Sequence, residues 1–192
     1  MKQIAGIITI LSVYFLTGCS TNSTEGGERE TVITAPDNKE NRVSPAEVIN
    51  ANINGNDITV NYGSPKVKGR EIWGSLVPYD EVWRTGANEA TTISFSKDVL
   101  IDGQLLQSDV YSFFTIPSSD KWTAIFNLEE KQWGAFKYDS NQDALRIQIT
   151  PDTIALQEEM KFEVNPNSEN GGVISLKWEK MQINVPFTNA PE

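Results

Sequence analysis

The chain has 192 residues, 16 Lys+Arg against 26 Asp+Glu, one cysteine and no histidine. That balance argues against a nucleic-acid binder, which needs clustered positive charge, and disfavours adhesion to anionic lipid through basic side chains. Without histidine there is no Ser-His-Asp triad, no Cys-His pair and no histidine-ligated zinc, and a lone cysteine closes no internal disulfide.

In chain order, Lys2 supplies a short positive start, and Ile4 to Leu16 is an apolar run interrupted by Gly6, Thr9 and Ser12. The run suits a signal-peptide core and falls short of the roughly 20 residues of a typical membrane span. Leu16-Thr17-Gly18-Cys19 follows and resembles a bacterial lipobox. The resemblance implies cleavage before Cys19, a diacylglyceryl group on its sulfur and acylation of its new amine. Residues 1–18 are then a lipoprotein signal peptide, and the membrane is a partner through acyl chains on Cys19. The alternative is an ordinary signal peptide or anchor helix with a chance cysteine. The expected location is extracytoplasmic, anchored to a bacterial membrane, the outer one by preference, with periplasmic and surface faces both open. Residues 19–42 read as the lipidated cysteine and a flexible tether. Ser20 to about Arg42 is rich in Ser, Thr, Asn, Gly and Glu, too polar to offset its ordering entropy.

From Val43 to Glu192 short alternating or β-branched runs are separated by turn residues, as expected of one domain. Ile58–Tyr62 and Thr92–Phe95 alternate. Val99–Leu106 holds an Asp102-Gly103 hairpin turn. Val110–Ile116 is closed by Pro117, and Trp122–Leu128 follows. Asp139–Asp143 separates Gly134–Tyr138 from Ala144–Thr150. Met160–Val164 and Val173–Trp178 flank a turn over Asn165–Gly172, and Met181–Phe187 closes the body. This spacing predicts an all-β fold: an antiparallel, jelly-roll-like β-sandwich of nine to ten strands. Ile72–Val77 and Pro151–Gln157 are expected to add one helical turn each. Five tryptophans support a core without crosslinks.

YGSPKVKGREIWGSLVPYDEVWRTGANEATTISFSKDV, YSFFTIPSSDKWTAIFN, QWGAFKYDSNQDALRIQITP and SLKWEKMQINVPF together carry a resemblance over about Asn56 to Thr188. The chain resembles the domain-of-unknown-function family twenty-nine eleven. The resemblance implies a secreted or lipid-anchored protein of the kind found mostly in Bacteroidetes, and it brings no catalytic residues. The chain departs from the family pattern at Leu106–Val110, where a Pro-Ala-Gly-type turn is expected before the tyrosine.

The densest polar stretch is Tyr79 to Thr91, with Lys68, Arg70 and Glu71 upstream. Arg70 and Arg84 offer guanidinium forks for a carboxylate, phosphate or sugar. Asp80 and Glu89 could act as acid and base across a glycosidic bond. Trp73, Trp83 and Tyr79 could stack on sugar faces. The structural alternative is a locked corner, in which Gly86-Ala87-Asn88 turns, Arg84 pairs with Glu89 or Asp80, and Trp83 packs inward.

Asp139-x-Asn141-x-Asp143 has calcium-loop spacing at its opening, but Ala144 and Thr150 stand where an EF-hand needs Gly and Glu. It reads as a solvated hairpin tip, and neither a metal nor a cofactor is expected. Trp122, Trp133 and Trp178 read as core. Exposure of Trp133 beside Tyr138 would instead make a carbohydrate platform.

The first functional reading is a non-catalytic envelope module binding carbohydrate, peptide or an envelope protein through Arg70, Trp83, Arg84, Asn88 and Glu89. The second is a histidine-free glycan hydrolase using Asp80 and Glu89. The third is a purely structural envelope protein.

Overall fold

A computed structural model describes residues 42–191. Among the described residues ten strands run in chain order: β1 (Ala46–Ile53), β2 (Asn56–Gly63), β3 (Thr91–Phe95), β4 (Val99–Ile101), β5 (Gln104–Leu106), β6 (Val110–Ile116), β7 (Trp122–Asn127), β8 (Asp143–Ile149), β9 (Asp152–Ser168) and β10 (Gly171–Asn189). They form two antiparallel sheets, a six-stranded one in the order β1-β2-β3-β6-β7-β8 and a four-stranded one in the order β5-β4-β10-β9. The all-β sandwich expected from the strand spacing is the fold observed.

Turn chemistry sets the hairpins. Asn54 and Gly55 both have positive φ (51° and 78°) between β1 and β2, as do Asp102 and Gly103 (51° and 72°) between β4 and β5. A two-residue loop with both φ positive twists in the same sense as the flanking strands, which fixes Ile53 opposite Asn56 and Ile101 opposite Gln104.

Alternation then sends one face of each sheet inward. Ile58, Val60, Ile93, Phe95, Phe113 and Phe126 of the larger sheet meet Phe162, Leu176, Trp178, Val185 and Phe187 of the smaller one in a single core. Edge-to-face ring pairs cross the interface, with centroids 4.9 Å apart for Tyr62–Phe162 and 5.6 Å for Phe95–Phe187. Each such side chain contributes about 1.5–3 kcal/mol when fully buried, so the core holds without crosslinks.

Four tryptophans gather in that core. Trp73 lies 4.7 Å from Trp122 and 5.7 Å from Trp178, and Trp83 stacks on Trp178 at 5.9 Å. Trp83 packs inward, as the locked-corner alternative expects, and neither Trp73 nor Trp83 presents a platform to solvent.

Four local expectations are corrected. Pro151–Gln157 is not a helical turn: Asp152, Thr153 and Gln157 pair with Gln182, Met181 and Glu179, extending β9 along β10. The reversal expected over Asn165–Gly172 is tighter, because pairing continues to Ser168 opposite Gly171. Gly134–Tyr138 is a turn rather than a strand, with Gly134 at φ +66°. Ile72–Val77 closes as a loop in which the Leu76 and Val77 N–H groups donate to the Glu71 and Ile72 carbonyls. Among the described residues the helical piece is a 3-10 turn at Ser140–Gln142.

Two long connections shape the surface. Residues 64–90 join β2 to β3, and residues 128–142 join β7 to β8. They cover a second apolar cluster of Ala90, Phe114 and Ile125 on the outer face of the larger sheet, with Val82, Ala135 and Tyr138 against it. The outer face beside β1 stays open, and Val48 there is exposed.

Candidate functional site

The polar stretch singled out in the sequence divides between two hollows. The first, a cavity of about 290 Å³, is lined by Lys66, Lys68, Arg70, Trp83, Arg84 and Asn88, with Val43 and Ser44 at one side. Its shape comes from the tight 84–91 loop. Thr85 is fully buried at φ +53°, where a β-branched residue is a genuine outlier. Its hydroxyl bonds the Trp83 carbonyl at 3.2 Å and Thr115 Oγ1 at 3.1 Å, and its carbonyl accepts from Thr91 Oγ1 at 2.8 Å. Gly86 and Ala87 press against the end of β2, so that a Cβ on Gly63 would lie 2.2 Å from the Ala87 carbonyl oxygen. Asn88, at φ +66°, donates from Nδ2 to the Ser44 carbonyl at 3.1 Å and pins the incoming chain.

That loop holds Arg84 half-buried. Its Nε is buried with no hydrogen-bond partner, and burial pulls the guanidinium below its usual pKa. Among the described residues no carboxylate lines the cavity. The expected pairing of Arg84 with Glu89 or Asp80 is therefore not made: Glu89 bonds Arg42 on both guanidinium nitrogens, at 3.0 Å from Nη2 and more closely from Nη1. Arg70 donates to the Val67 carbonyl at 3.0 Å and to that of Lys66. Lys66 pairs with Glu159.

The second hollow is an open groove of about 540 Å³ on the outer face of the larger sheet. Ala46, Val48 and Gly63 form much of its floor, Asn61 and Thr92 place an amide and a hydroxyl on it, and Glu47, Glu89, Glu130 and Trp133 stand at its sides. Asn61 Nδ2 and Thr92 Oγ1 are 3.2 Å apart. Trp133 is 57% exposed, so it is not the core residue its context suggested. Its backbone bridges Glu89, and the Arg42 guanidinium lies 5.6 Å from its ring centre. Phe136, in the same connection, is 86% exposed.

Buried polar contacts fix the connection that carries Trp133. Ser112 Oγ donates to the Glu129 carbonyl at 2.8 Å, Gln132 Nε2 to the same carbonyl at 2.9 Å, and Asn127 Nδ2 to the Asp139 carbonyl at 2.9 Å. Tyr138 does not flank Trp133 as a platform. It packs on Phe114 at 5.1 Å and donates to Asp143, and burial raises its phenol well above the usual range.

The remaining candidates fall elsewhere. Asp80 is exposed in the turn after Pro78, its N–H donating to the Pro117 carbonyl at 2.8 Å, and the groove lined by Glu89 does not include it. Asp139 caps the 3-10 turn. Asp143 is buried rather than solvated and accepts from Asn127, Tyr138 and Arg146. Among the described residues no cluster of three acidic or sulfur ligands could hold a metal. Cys19 and most of the tether lie outside the described residues. Arg42, read as the end of the tether, is bonded to the body. Arg42 is absent from the sequence-based site, and Trp133 enters the sequence reading only as a conditional platform beside Tyr138. Arg42 carries no local signal, since its partner is 47 residues away, and the Trp133 pattern does not reveal which way the ring faces.

A family model described as "Protein of unknown function (DUF2911)" matches residues 44–187. No curated protein and no solved structure matches the chain.

Proposed function

The chain belongs to the DUF2911 family, and on that footing we propose that it is a lipid-anchored envelope protein whose sandwich binds carbohydrate without catalysis. The single observation behind the binding role is Trp133, an exposed indole fixed by buried hydrogen bonds at the side of an open groove. An indole face stacks on the apolar C–H face of a pyranose, and a preformed ring gives up little conformational entropy on binding. Asn61, Thr92 and Glu47 line the same groove and can exchange hydrogen bonds with hydroxyl groups. A hydrolase reading is less well supported, because Glu89 is occupied by Arg42 and Asp80 does not share its groove.

Lipid attachment at Cys19 rests on the lipobox-like sequence. Cells expressing the chain and fed labelled palmitate should label it, and Cys19→Ala should abolish the label. Labelling that survives the substitution would remove the anchor. For binding, oligosaccharides of glucose, mannose and N-acetylglucosamine are titrated into the purified full chain while tryptophan emission is followed. A blue shift that vanishes in Trp133→Ala is expected. A shift unchanged in that variant, or no shift with any sugar, would refute the groove as a carbohydrate site.

A further inference from the structure

The cavity around Arg84 holds more positive charge than the described residues neutralise. Lys66, Lys68, Arg70 and Arg84 line it, and among the described residues no acidic one does. Lys66 is compensated by Glu159. The bonds from Arg70 go to the carbonyls of Val67 and Lys66, which orient the guanidinium without cancelling its charge. Glu158 accepts from the Lys68 backbone N–H at 2.8 Å and offsets one further charge from outside the lining. The cations of Lys68, Arg70 and Arg84 against that carboxylate leave a local excess of two. A half-buried guanidinium with an orphaned Nε is costly unless an acceptor arrives.

The backbone around it is built rather than incidental. Lys68, Thr85 and Asn88 all sit at positive φ (49°, 53° and 66°). Such strain collects where a loop must hold a defined shape for function. Thr85, next to Arg84 in the chain, is held by Thr115, and Asn88 is tied to the Ser44 carbonyl.

We propose that this cavity is a binding site for a phosphate-class dianion, held by the Arg84 guanidinium with Arg70 and Lys68. The local excess of two positive charges matches a phosphate or phosphomonoester, which carries about −1.5 to −2 at neutral pH, better than a single carboxylate. The planar guanidinium fork supplies paired donors to two phosphate oxygens, and lysine adds a mobile point charge. The site is separate from the Trp133 groove, so it stands or falls independently of the carbohydrate reading.

The purified full chain is titrated calorimetrically with inorganic phosphate, glycerol phosphate and acetate, in separate runs, at low ionic strength. Saturable binding of phosphate identifies a free-anion site. Binding of glycerol phosphate without inorganic phosphate identifies a site for an esterified phosphoryl group. Either result supports the proposal when acetate binds at least about tenfold more weakly. Arg84→Gln and Lys68→Gln should each weaken binding by about tenfold or more. Lys68 is exposed, so its variant keeps the test decisive if Arg84→Gln does not fold. No binding of either phosphate, acetate binding as well as phosphate, or unchanged affinity in Lys68→Gln would overturn the proposal.

Discussion

Replacing Arg84 with methionine should make the protein more stable. The side chain is half-buried, and among the described residues its Nε has no acceptor and no carboxylate lines its cavity. Methionine keeps an unbranched apolar stem of similar reach and removes the charge. Exchanging even a paired buried charge for apolar groups of similar volume is often neutral or stabilises by about 1–4 kcal/mol, and among those residues Arg84 has no ion pair to lose. Because Arg84 keeps some solvent contact, the lower end applies, about 1 kcal/mol. For a domain of this size that raises the midpoint by about 2–4 °C. The assay is scanning calorimetry of the full chain in phosphate-free buffer. A second scan with saturating phosphate should close the gap from the wild-type side, since a ligand at 100 times its Kd adds about 2.7 kcal/mol to wild type and, bound about tenfold more weakly, about 1.4 kcal/mol to the variant. Groups kept at a cost to stability are those that function needs. A midpoint lowered by several degrees in Arg84→Met would show that the guanidinium holds the 84–91 loop together, and would refute the reasoning.

Two further outcomes follow from the packing and the charges. Gly63→Ala would drive a Cβ to 2.2 Å from the Ala87 carbonyl oxygen, a backbone atom that cannot rotate away, so the cost should lie near the top of the overpacking range, about 3 kcal/mol. Calorimetry should show the midpoint falling by about 6–12 °C, and an unchanged midpoint would mean that the loop does not press on β2. Glu163 accepts from Lys177 at 2.7 Å and pairs with Lys161 at 2.9 Å, which holds its carboxyl below the usual glutamate range. A lowered native pKa stabilises above the unfolded value and is lost as pH falls through the native one. Glu163→Gln should therefore cost up to about 1 kcal/mol at neutral pH, and its midpoint should merge with wild type in strong acid. A gap that persists in strong acid would mean that packing, not charge, accounts for it.

Much of the sandwich was legible because its signals are local. Val110–Ile116 carries its strand as a compact apolar run ended by proline, and Asp102-Gly103 dictates a hairpin by φ preference alone. The Asn54-Gly55 turn is an equally strong signal, and reading it would have identified β1. The first half of β9 was not legible. Asp152–Glu159 is rich in Ala, Leu, Gln and Glu and largely solvated, so intrinsic preference favours helix, and only pairing with β10 makes it extended.

The candidate site was legible as a cluster of residue types, not as an arrangement. Arg70, Trp83, Arg84 and Asn88 do line one cavity, but adjacent Asn88 and Glu89 face different hollows. Glu89 is claimed by Arg42 across 47 residues of chain. Contacts of that separation depend on the assembled fold, and spacing along the sequence does not contain them.

The central claim is that Trp133 is the indole presented for a sugar while the other described tryptophans build the core. Solution NMR of the indole N–H signals during an oligosaccharide titration tests it most directly. The account predicts that the Trp133 signal moves and saturates while those of Trp73, Trp83, Trp122 and Trp178 stay in place. A still Trp133 signal throughout, or movement confined to the core tryptophans, would contradict it.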